Sequence, residues 1–515
     1  MHKEVIAAID VGSHAMRMKI GELKSSGEFR EIESFRRSVA LGHDTFTNFK
    51  VSFESVETVC SILKNFKTIM NDYGITTYRA LATSAIREAS NKEYIIDQIK
   101  LKTELDITVI DNPEEQFLTH KAVSYKLENY EKIVQEGAVI VVIGAGSIQI
   151  SMYKEGKLIS SQNVKMGALR VKEVLGTLEN ETLKYFKILN EYITVNLEGL
   201  DFLKSGVSIS HFIAVGGEIS VIKRLVGLNE EDIDVIESIP KTKFDDLFRN
   251  VSQKSTQELA TDYGIKTERA EILIPSMMLF KKFIDHTEAE TIVIPNVSLT
   301  DGIIRGIYED LSGLNKNDKA LQEIITNARV IAEKFEYNKA HCENVESNAL
   351  VLFDKLKRLH GLENERILLK VASILHDIGK FLSLDMHYVH SYNLIRSLDV
   401  FGLSKEQMEL IANISRYHAM DVPKDKDPNF MQLSEKDRVL VAKLVAILRI
   451  ADALDRSHKQ KINIQLVKLK DKELIIRAIG KEITTLEEWT FKSKSVFFQE
   501  VFGITPILKI KRNME

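Results

Sequence analysis

Apolar and polar positions alternate in two short blocks near the start of the chain, VIAAID (Val5 to Asp10) and MRMKIGEL (Met16 to Leu23). A period of two predicts β-strands, here joined by the turn Val11-Gly12-Ser13-His14. From Phe53 the spacing changes. Apolar residues recur every three to four positions as far as Gly74, which predicts an amphipathic helix closed by a glycine. YRALAT (Tyr78 to Thr83) and DITVID (Asp106 to Asp111) then read as short buried strands. After Tyr130 the strand–turn–strand pattern restarts in AVIVVIGAGSIQISMYKEGKLISSQNVK, Ala138 to Lys165. Its likeness to the opening block predicts two related α/β halves with a cleft between them.

From about Asp318 the pattern becomes helical. ALQEIITNARVIAEKF, ERILLKVASILHDIGK, KEQMELIANISRYHA and DRVLVAKLVAILRIADALDRSH carry long amphipathic periods and few strand signals. Between Lys461 and Glu515 alternation returns around one helix, which predicts a small α/β appendage. The expected organisation is α/β over 1–125 and again over 126–310, helical over 318–460, and a small α/β segment over 461–515.

At 515 residues the chain is long enough for several such domains. A hydrophobic fraction of 44% and a charged fraction of 28% are those of a globular protein in water. A net charge of −4 gives no reason to expect nucleic acid or an anionic membrane as partner. No apolar run approaches the ~20 residues of a membrane span. The start, MHKEVIAAIDVG, meets an Asp too early for a signal peptide, so a cytoplasmic protein is expected. Cys60 and Cys342 form no framework and no CxxC pair.

Candidate chemistry begins at three glycine turns, each following a strand: Asp10-Val11-Gly12-Ser13, Gly144-Ala145-Gly146-Ser147 and Gly216-Gly217. Glycine and serine let backbone amides turn toward an anion, and an acid at a strand end can hold a metal or a water. Any one of these turns is equally explained by a tight bend. Together, and in order with ATSAIREASN (Ala82 to Asn91), DNPEEQFL (Asp111 to Leu118), KMGALRV (Lys165 to Val171), RAEILIPS (Arg269 to Ser276) and VSLTDGIIRG (Val297 to Gly306), they resemble the Ppx/GppA family of exopolyphosphatases and guanosine pentaphosphate phosphohydrolases. The resemblance covers essentially the whole chain. It implies two actin-like ATPase (ribonuclease H-like) domains around a cleft, Mg²⁺ in that cleft, a polyphosphate or guanosine pentaphosphate substrate, and a homodimer. Glu115 matches the family's catalytic acid, which activates the attacking water. The same match assigns phosphate binding to Asp10, Gly12, Ser13, Arg17, Arg87, Gly144, Gly146, Ser147 and Lys165. The plain alternative for Glu114 and Glu115 is a helix start, where acids are favoured by the dipole.

The chain also departs from that family's pattern. Val142 stands where an Asp is usual and Gln149 where a Glu is usual. His14-Ala15 replaces Asn-Ser, Asn112 replaces a Gly, and Glu218 replaces a Thr. Valine cannot ligate, and a neutral amide is a poor ligand for a hard cation. Weaker Mg²⁺ binding and slower hydrolysis are therefore expected in the cleft.

The helical segment carries a second constellation: His341, the pair His376-Asp377 in LHDIGK, His390, His418, and Asp452 in RIADALDR. This order resembles the HD superfamily of metal-dependent phosphohydrolases. The resemblance assigns His341, His376, Asp377 and Asp452 to one metal, and His390 and His418 to a second. Imidazole with carboxylate suits Mn²⁺, Fe²⁺ or Zn²⁺. Lys380, one turn past Asp377, is placed to meet a phosphate, whereas His360 and His387 read as solvated bystanders and Cys342 as packing. Three functional readings stay open: a phosphohydrolase working in the cleft, an HD phosphohydrolase with a weakened phosphate-binding N-terminal half, and a non-catalytic regulator that binds polyphosphate or an alarmone nucleotide.

Overall fold

The strand that organises the N-terminal half is β1 (Lys3–Val11), buried on both faces from Ile6 to Val11. Its period of two sorts the side chains. Ala7, Ile9 and Val11 join one apolar cluster with the helix Phe53–Asp72, while Ile6 and Ala8 join another with Ile303, Ile304 and Ile307 of the helix Leu299–Ser312. Around β1 lie β2 (Ala15–Lys24), β3 (Phe29–Ser38), β4 (Thr77–Ala82) and β5 (Ile107–Val109), in the order β3-β2-β1-β4-β5. β1, β2 and β3 pair antiparallel; β4 and β5 continue in parallel.

The computed structural model describes residues 3–179, 185–204, 206–228, 237–312 and 318–512, so the first two and last three residues of the outlined segments fall outside it. The chain divides into two compact units, Met1–Asp318 and Lys319–Glu515. A second sheet of the first unit comprises β6 (Ala138–Ile143), β7 (Ile148–Lys154), β8 (Lys157–Val164), β9 (His211–Gly216), β10 (Glu237–Pro240) and β11 (Thr291–Ile294). Its order is β10-β11-β9-β6-β7-β8. Again three antiparallel strands are followed by parallel ones, here β9 and then β11. The restart read from the sequence is thus a repeat of topology. In such sheets ligands gather at the carboxyl ends of the parallel strands. That edge carries Asp10 and the Gly12 turn after β1, Ser84–Glu88 after β4, Asn112 to Glu115 after β5, the Gly144 turn after β6 and Gly216 after β9.

The second unit is mainly helical, with Asp318–Lys334, Lys339–Lys355, Arg366–Leu375, His387–Ser397, Lys405–Arg416, Glu435–Ala453 and Thr485–Phe502 as its longer helices. A three-stranded sheet, β12 (Ile462–Lys470), β13 (Glu473–Gly480) and β14 (Thr505–Arg512), follows the order β12-β13-β14. Its inward residues Ile462, Val467, Leu474 and Ile476, with Phe491 and Phe498 of the last helix, share one core with Leu369, Ile411, Leu444 and Ile447. The C-terminal segment is built into the helical unit rather than hung on it.

Candidate functional site

In the first unit the β1–β2 turn closes with Gly12 N–H donating to Ala15 O at 3.2 Å. A Cβ at Gly12 would lie 2.7 Å from that same oxygen, so the turn requires glycine. Asp10, just before it, is buried, and its Oδ2 accepts from Arg17 Nη1 at 3.3 Å. Its Oδ1 has no hydrogen-bond partner among the described residues. Burial pushes the Asp10 carboxyl up to about 6; Arg17 pulls it down, and the charge of Glu115 adds to the rise.

Glu115 sits in the first turn of the helix Asn112–Lys126. Glu114 is the residue that caps this helix, accepting from Asp111 N–H at 3.0 Å. The helix-start explanation therefore accounts for Glu114 and leaves Glu115 facing Arg87, whose Nη1 lies 3.1 Å from Glu115 Oε2. Arg87 is itself held by Ile110 O at 2.6 Å and by Asn112 Oδ1. Asn112, noted only as a departure from the family pattern, thus orients the arginine beside the candidate base.

The two glycine turns meet through Ser84. Ser13 Oγ lies 2.8 Å from Ser84 Oγ and accepts from Ala85 N–H at 3.1 Å. A Cβ at Gly146 would come within 2.6 Å of both Ser84 Oγ and Phe46 Cζ. The Gly144 turn is closed by Gly144 N–H to Ser147 O at 2.8 Å and braced by Arg170 Nε to Gly146 O at 2.8 Å. Asp10, Gly12, Ser13, Arg17, Arg87 and Glu115 therefore gather at one sheet edge, with Gly144, Gly146 and Ser147 against them. Lys165 stands exposed, 3.7 Å from Glu88, which Arg170 also holds at 2.8 Å.

The departures have structural addresses. Val142 and Gln149 are cross-strand partners on β6 and β7. Gln149 is buried, and its Oε1 has no hydrogen-bond partner among the described residues. Glu218 is buried beyond β9 and accepts from Arg269 Nε at 2.6 Å.

Among the described residues, the His/Asp groups close enough to share an ion all lie in the second unit. His341 Nε2 is 3.4 Å from His376 Nε2, 3.3 Å from Asp452 Oδ1 and 3.7 Å from Asp377 Oδ2. His376 Nε2 is 3.6 Å from Asp377 Oδ2. The other oxygen, Asp377 Oδ1, lies 3.4 Å from His418 Nε2 and 3.5 Å from His387 Nε2. Ligands about 2.1 Å from one cation sit roughly 3.0–3.4 Å from each other, so these separations are of the right size. The opposite ring nitrogens are fixed: Nδ1 of His341 by Asp455 at 2.9 Å, of His376 by Ser373 O at 2.8 Å, and of His418 by Ser415 O at 2.6 Å. Each such contact places a proton on Nδ1 and frees Nε2 to ligate.

The electrostatics divide the histidines. Burial drives His376 down to about 3 and His387 to about 4, so both stay neutral near pH 7. Burial would also lower His341, but the hydrogen bonds it donates to Asp452 and Asp455 and the field of Asp377 carry it to about 9, so it is cationic near pH 7 and has to give up the Nε2 proton before it ligates. Asp377 and Asp452 are held well below the usual carboxylate range despite burial, by His376, His418 and Lys380 for the first and by Lys494 and His341 for the second. Lys380 and Lys494 pair directly with Asp377 and Asp452. Lys494 also donates to His418 O at 2.8 Å.

Three histidine expectations change. His387, read as a bystander, belongs to the centre, whereas His390 lies one turn farther along the same helix and has no contact with the cluster among the described residues. The helix is positioned by Gly379, where an added Cβ would lie 2.1 Å from His387 O and 2.4 Å from Ser391 N. That close approach aims the first turn at Asp377. His360 is not solvated: it is buried and bonded to Phe353 O at 2.8 Å. Sequence reasoning also missed His458, stacked on His341 at 3.7 Å, and Arg449, whose Nη1 donates to Tyr417 O, Ala419 O and Asp421 O at 2.8–2.9 Å and so pins the His418 loop. Only its place in RIADALDRSH could have hinted at either.

Comparison with known proteins adds the following. The chain is 24% identical over 317 residues to a bifunctional 3-dehydroquinate synthase/phosphatase of Fusobacterium nucleatum; the match takes in 58% of this chain but spans only 46% of that longer protein. It is 22% identical over 467 residues to a guanosine-5′-triphosphate,3′-diphosphate pyrophosphatase of Photobacterium profundum, covering 88% of each. Among solved structures, an exopolyphosphatase of Cytophaga hutchinsonii superposes with a TM-score of 0.52 at 19% identity, over 60% of this chain and 98% of that one. The Aquifex aeolicus Ppx/GppA family member gives 0.51 at 19%, over 61% and 100%. Both likenesses place the mixed sheets in the actin-like ATPase type of fold. The model of domain III of the Ppx/GppA phosphatases matches residues 325–494. With the Ppx/GppA phosphatase family model itself matching residues 22–311, more than half of its length, the chain belongs to that family.

Proposed function

We propose that the chain is a phosphohydrolase that releases phosphate from inorganic polyphosphate or from guanosine pentaphosphate by metal-assisted attack of water in the N-terminal cleft. One observation carries this reading: Asp10, Arg17, Arg87 and Glu115 meet at one sheet edge beside two abutting glycine turns. Water attack on a phosphoanhydride needs an acceptor for the water proton, and Glu115 is the carboxylate placed for it. Arg87, bonded to Glu115, holds that carboxylate in one orientation. The amides around Gly12 and Gly144, with Arg17, offer donors to the phosphate oxygens.

The donor set fits a hard cation, but thinly. Asp10 Oδ1 and Gln149 Oε1 are buried oxygens without partners among the described residues, one on a carboxyl and one on a neutral amide. When bound, Mg²⁺ offsets phosphate charge. The high position of Asp10 reflects its burial, which Arg17 only partly offsets.

A second reading is favoured by the convergence of four imidazole Nε2 atoms on Asp377 and Asp452. Here an HD-type centre does the metal chemistry and the cleft binds phosphates. His341, His376, Asp377 and Asp452 would hold one Mn²⁺, Fe²⁺ or Zn²⁺, and Asp377, His387 and His418 a second. Such ions lower the pKa of bound water and screen phosphate charge. Phosphate release from long-chain polyphosphate, measured for the wild type, Glu115→Gln and Asp377→Ala with Mg²⁺ and with Mn²⁺, separates the two. Loss confined to Glu115→Gln supports the cleft. Loss confined to Asp377→Ala moves the chemistry to the helical unit, and no release from any of the three overturns hydrolysis of this substrate.

A further inference from the structure

The third glycine turn, after β9, carries a carboxylate that takes no part in the attack of water. Gly216 pairs in register with Ile143 of β6, and Gly217 N–H donates to Ile143 O at 2.5 Å, so this turn lies one strand over from the Gly144 turn. Gly216 and Gly217 have φ of +73° and +55°, the left-handed backbone that favours glycine. They deliver Glu218 into the interior, 3% exposed, where its Oε2 accepts from Arg269 Nε at 2.6 Å. Arg269 Nη2 donates to Ser220 Oγ at 2.7 Å. The Nε–Nη2 edge is a fork with which an arginine grips a phosphate in two bonds, and here both atoms are turned to the protein.

The charges around this carboxylate connect it to the edge that holds Asp10. Arg17, bonded to Asp10, stands opposite Arg36 on β2 and β3. Like charges so placed destabilise a sheet, and the pair gains from an anion nearby. Burial raises the Glu218 carboxyl, and the charges of Arg269, Arg36 and Arg17 draw it down again. Glu268, exposed, also acts on Arg36. We propose that Glu218 is a specificity-determining residue, an internal anion that holds Arg269 as a phosphate of a longer chain would and so limits the cleft to a short run of phosphates. The proposal rests on reading the cleft as the phosphate site. Phosphates beside Asp10 and the Gly12 turn meet Arg17, whereas each further one toward Arg269 meets a carboxylate that already occupies the cation.

The test measures binding of pyrophosphate, tripolyphosphate and long-chain polyphosphate to the full chain in metal-free buffer, where metal-assisted turnover does not consume them. In Glu218→Gln, affinity should rise roughly tenfold for the long chain, the size of one carboxylate charge removed at short range, and stay within about twofold for pyrophosphate. Glu218→Thr should reproduce that gain, so poor folding of one variant does not decide the outcome. Adding Arg269→Ala to Glu218→Gln should cancel it. A gain equal at all chain lengths, or no gain in protein whose binding still depends on Arg17, overturns this proposal and leaves the cleft reading standing. Binding that Arg17→Ala does not weaken overturns both.

Discussion

His387 and His390 are separated by a single helical turn, about 4.5 Å along the axis, and that distance decides which of them can serve the centre. His387 Nε2 reaches Asp377 and His418 at 3.5 and 3.3 Å. His387→Ala should therefore reduce bound Mn²⁺ from two ions to one per chain, while His390→Ala should leave two. Equal metal content in both variants, measured by atomic emission, would refute the assignment. Asp10 makes a prediction of a different kind. The folded protein holds its proton up to about pH 6, whereas an unfolded chain releases it near 3.8. The protonated carboxyl therefore favours folding, and the advantage is lost as pH rises through 6. Asp10→Asn cannot ionise and escapes this loss. In metal-free buffer its stability relative to wild type should rise by about 2 kcal/mol between pH 4 and 7. A difference that stays flat across that range would show that the carboxyl is not held in its neutral form.

Turns and helix starts, rather than strands, hold the chemistry here, and they were read with uneven success. The alternation of β1 and β2 and the restart at Ala138 were plain in the sequence because each strand has one chemistry per face, or apolar chemistry on both. The meeting of the two glycine turns was not plain, since Ser84 and Phe46, which join them, look ordinary in sequence. Gly146→Ala tests that contact. The new Cβ would have to displace Phe46 and Ser84, costing about 1–3 kcal/mol, and should weaken phosphate binding as the turns are pushed apart. Unchanged melting and unchanged affinity would mean that the turns move freely. In the helical unit, the resemblance to the HD superfamily grouped His341, His376, Asp377, His390, His418 and Asp452. It could not choose between two histidines on one helix, because the choice depends on the approach of Gly379 to the His387 backbone, a tertiary distance with no counterpart in the local pattern.

At the scale of the molecule, two compact units should unfold as two calorimetric transitions. A cation bound at a hundred times its Kd stabilises its unit by about 2.7 kcal/mol. Chelation should therefore lower one transition by roughly 5–10 °C and leave the other nearly fixed. A single transition that moves as a whole would show that the units are thermodynamically one.

The contact of Lys494 with Asp452 and with the His418 carbonyl has a hereditary consequence. The stretch from Lys461 onward looks expendable, yet it encodes Lys494, the only lysine or arginine that pairs with Asp452 among the described residues. It also encodes Phe491 and Phe498, which seal the helical core. A premature stop anywhere between codons 461 and 490 would not yield a shortened working protein. It would yield a helical unit with an open core and Asp452 stripped of its counter-charge, a product for cellular proteases to clear. Pulse-chase of such a truncated chain should show a half-life well below that of the full chain. A truncated chain as long-lived and as metal-rich as the intact one would mean that the segment can be lost without harm.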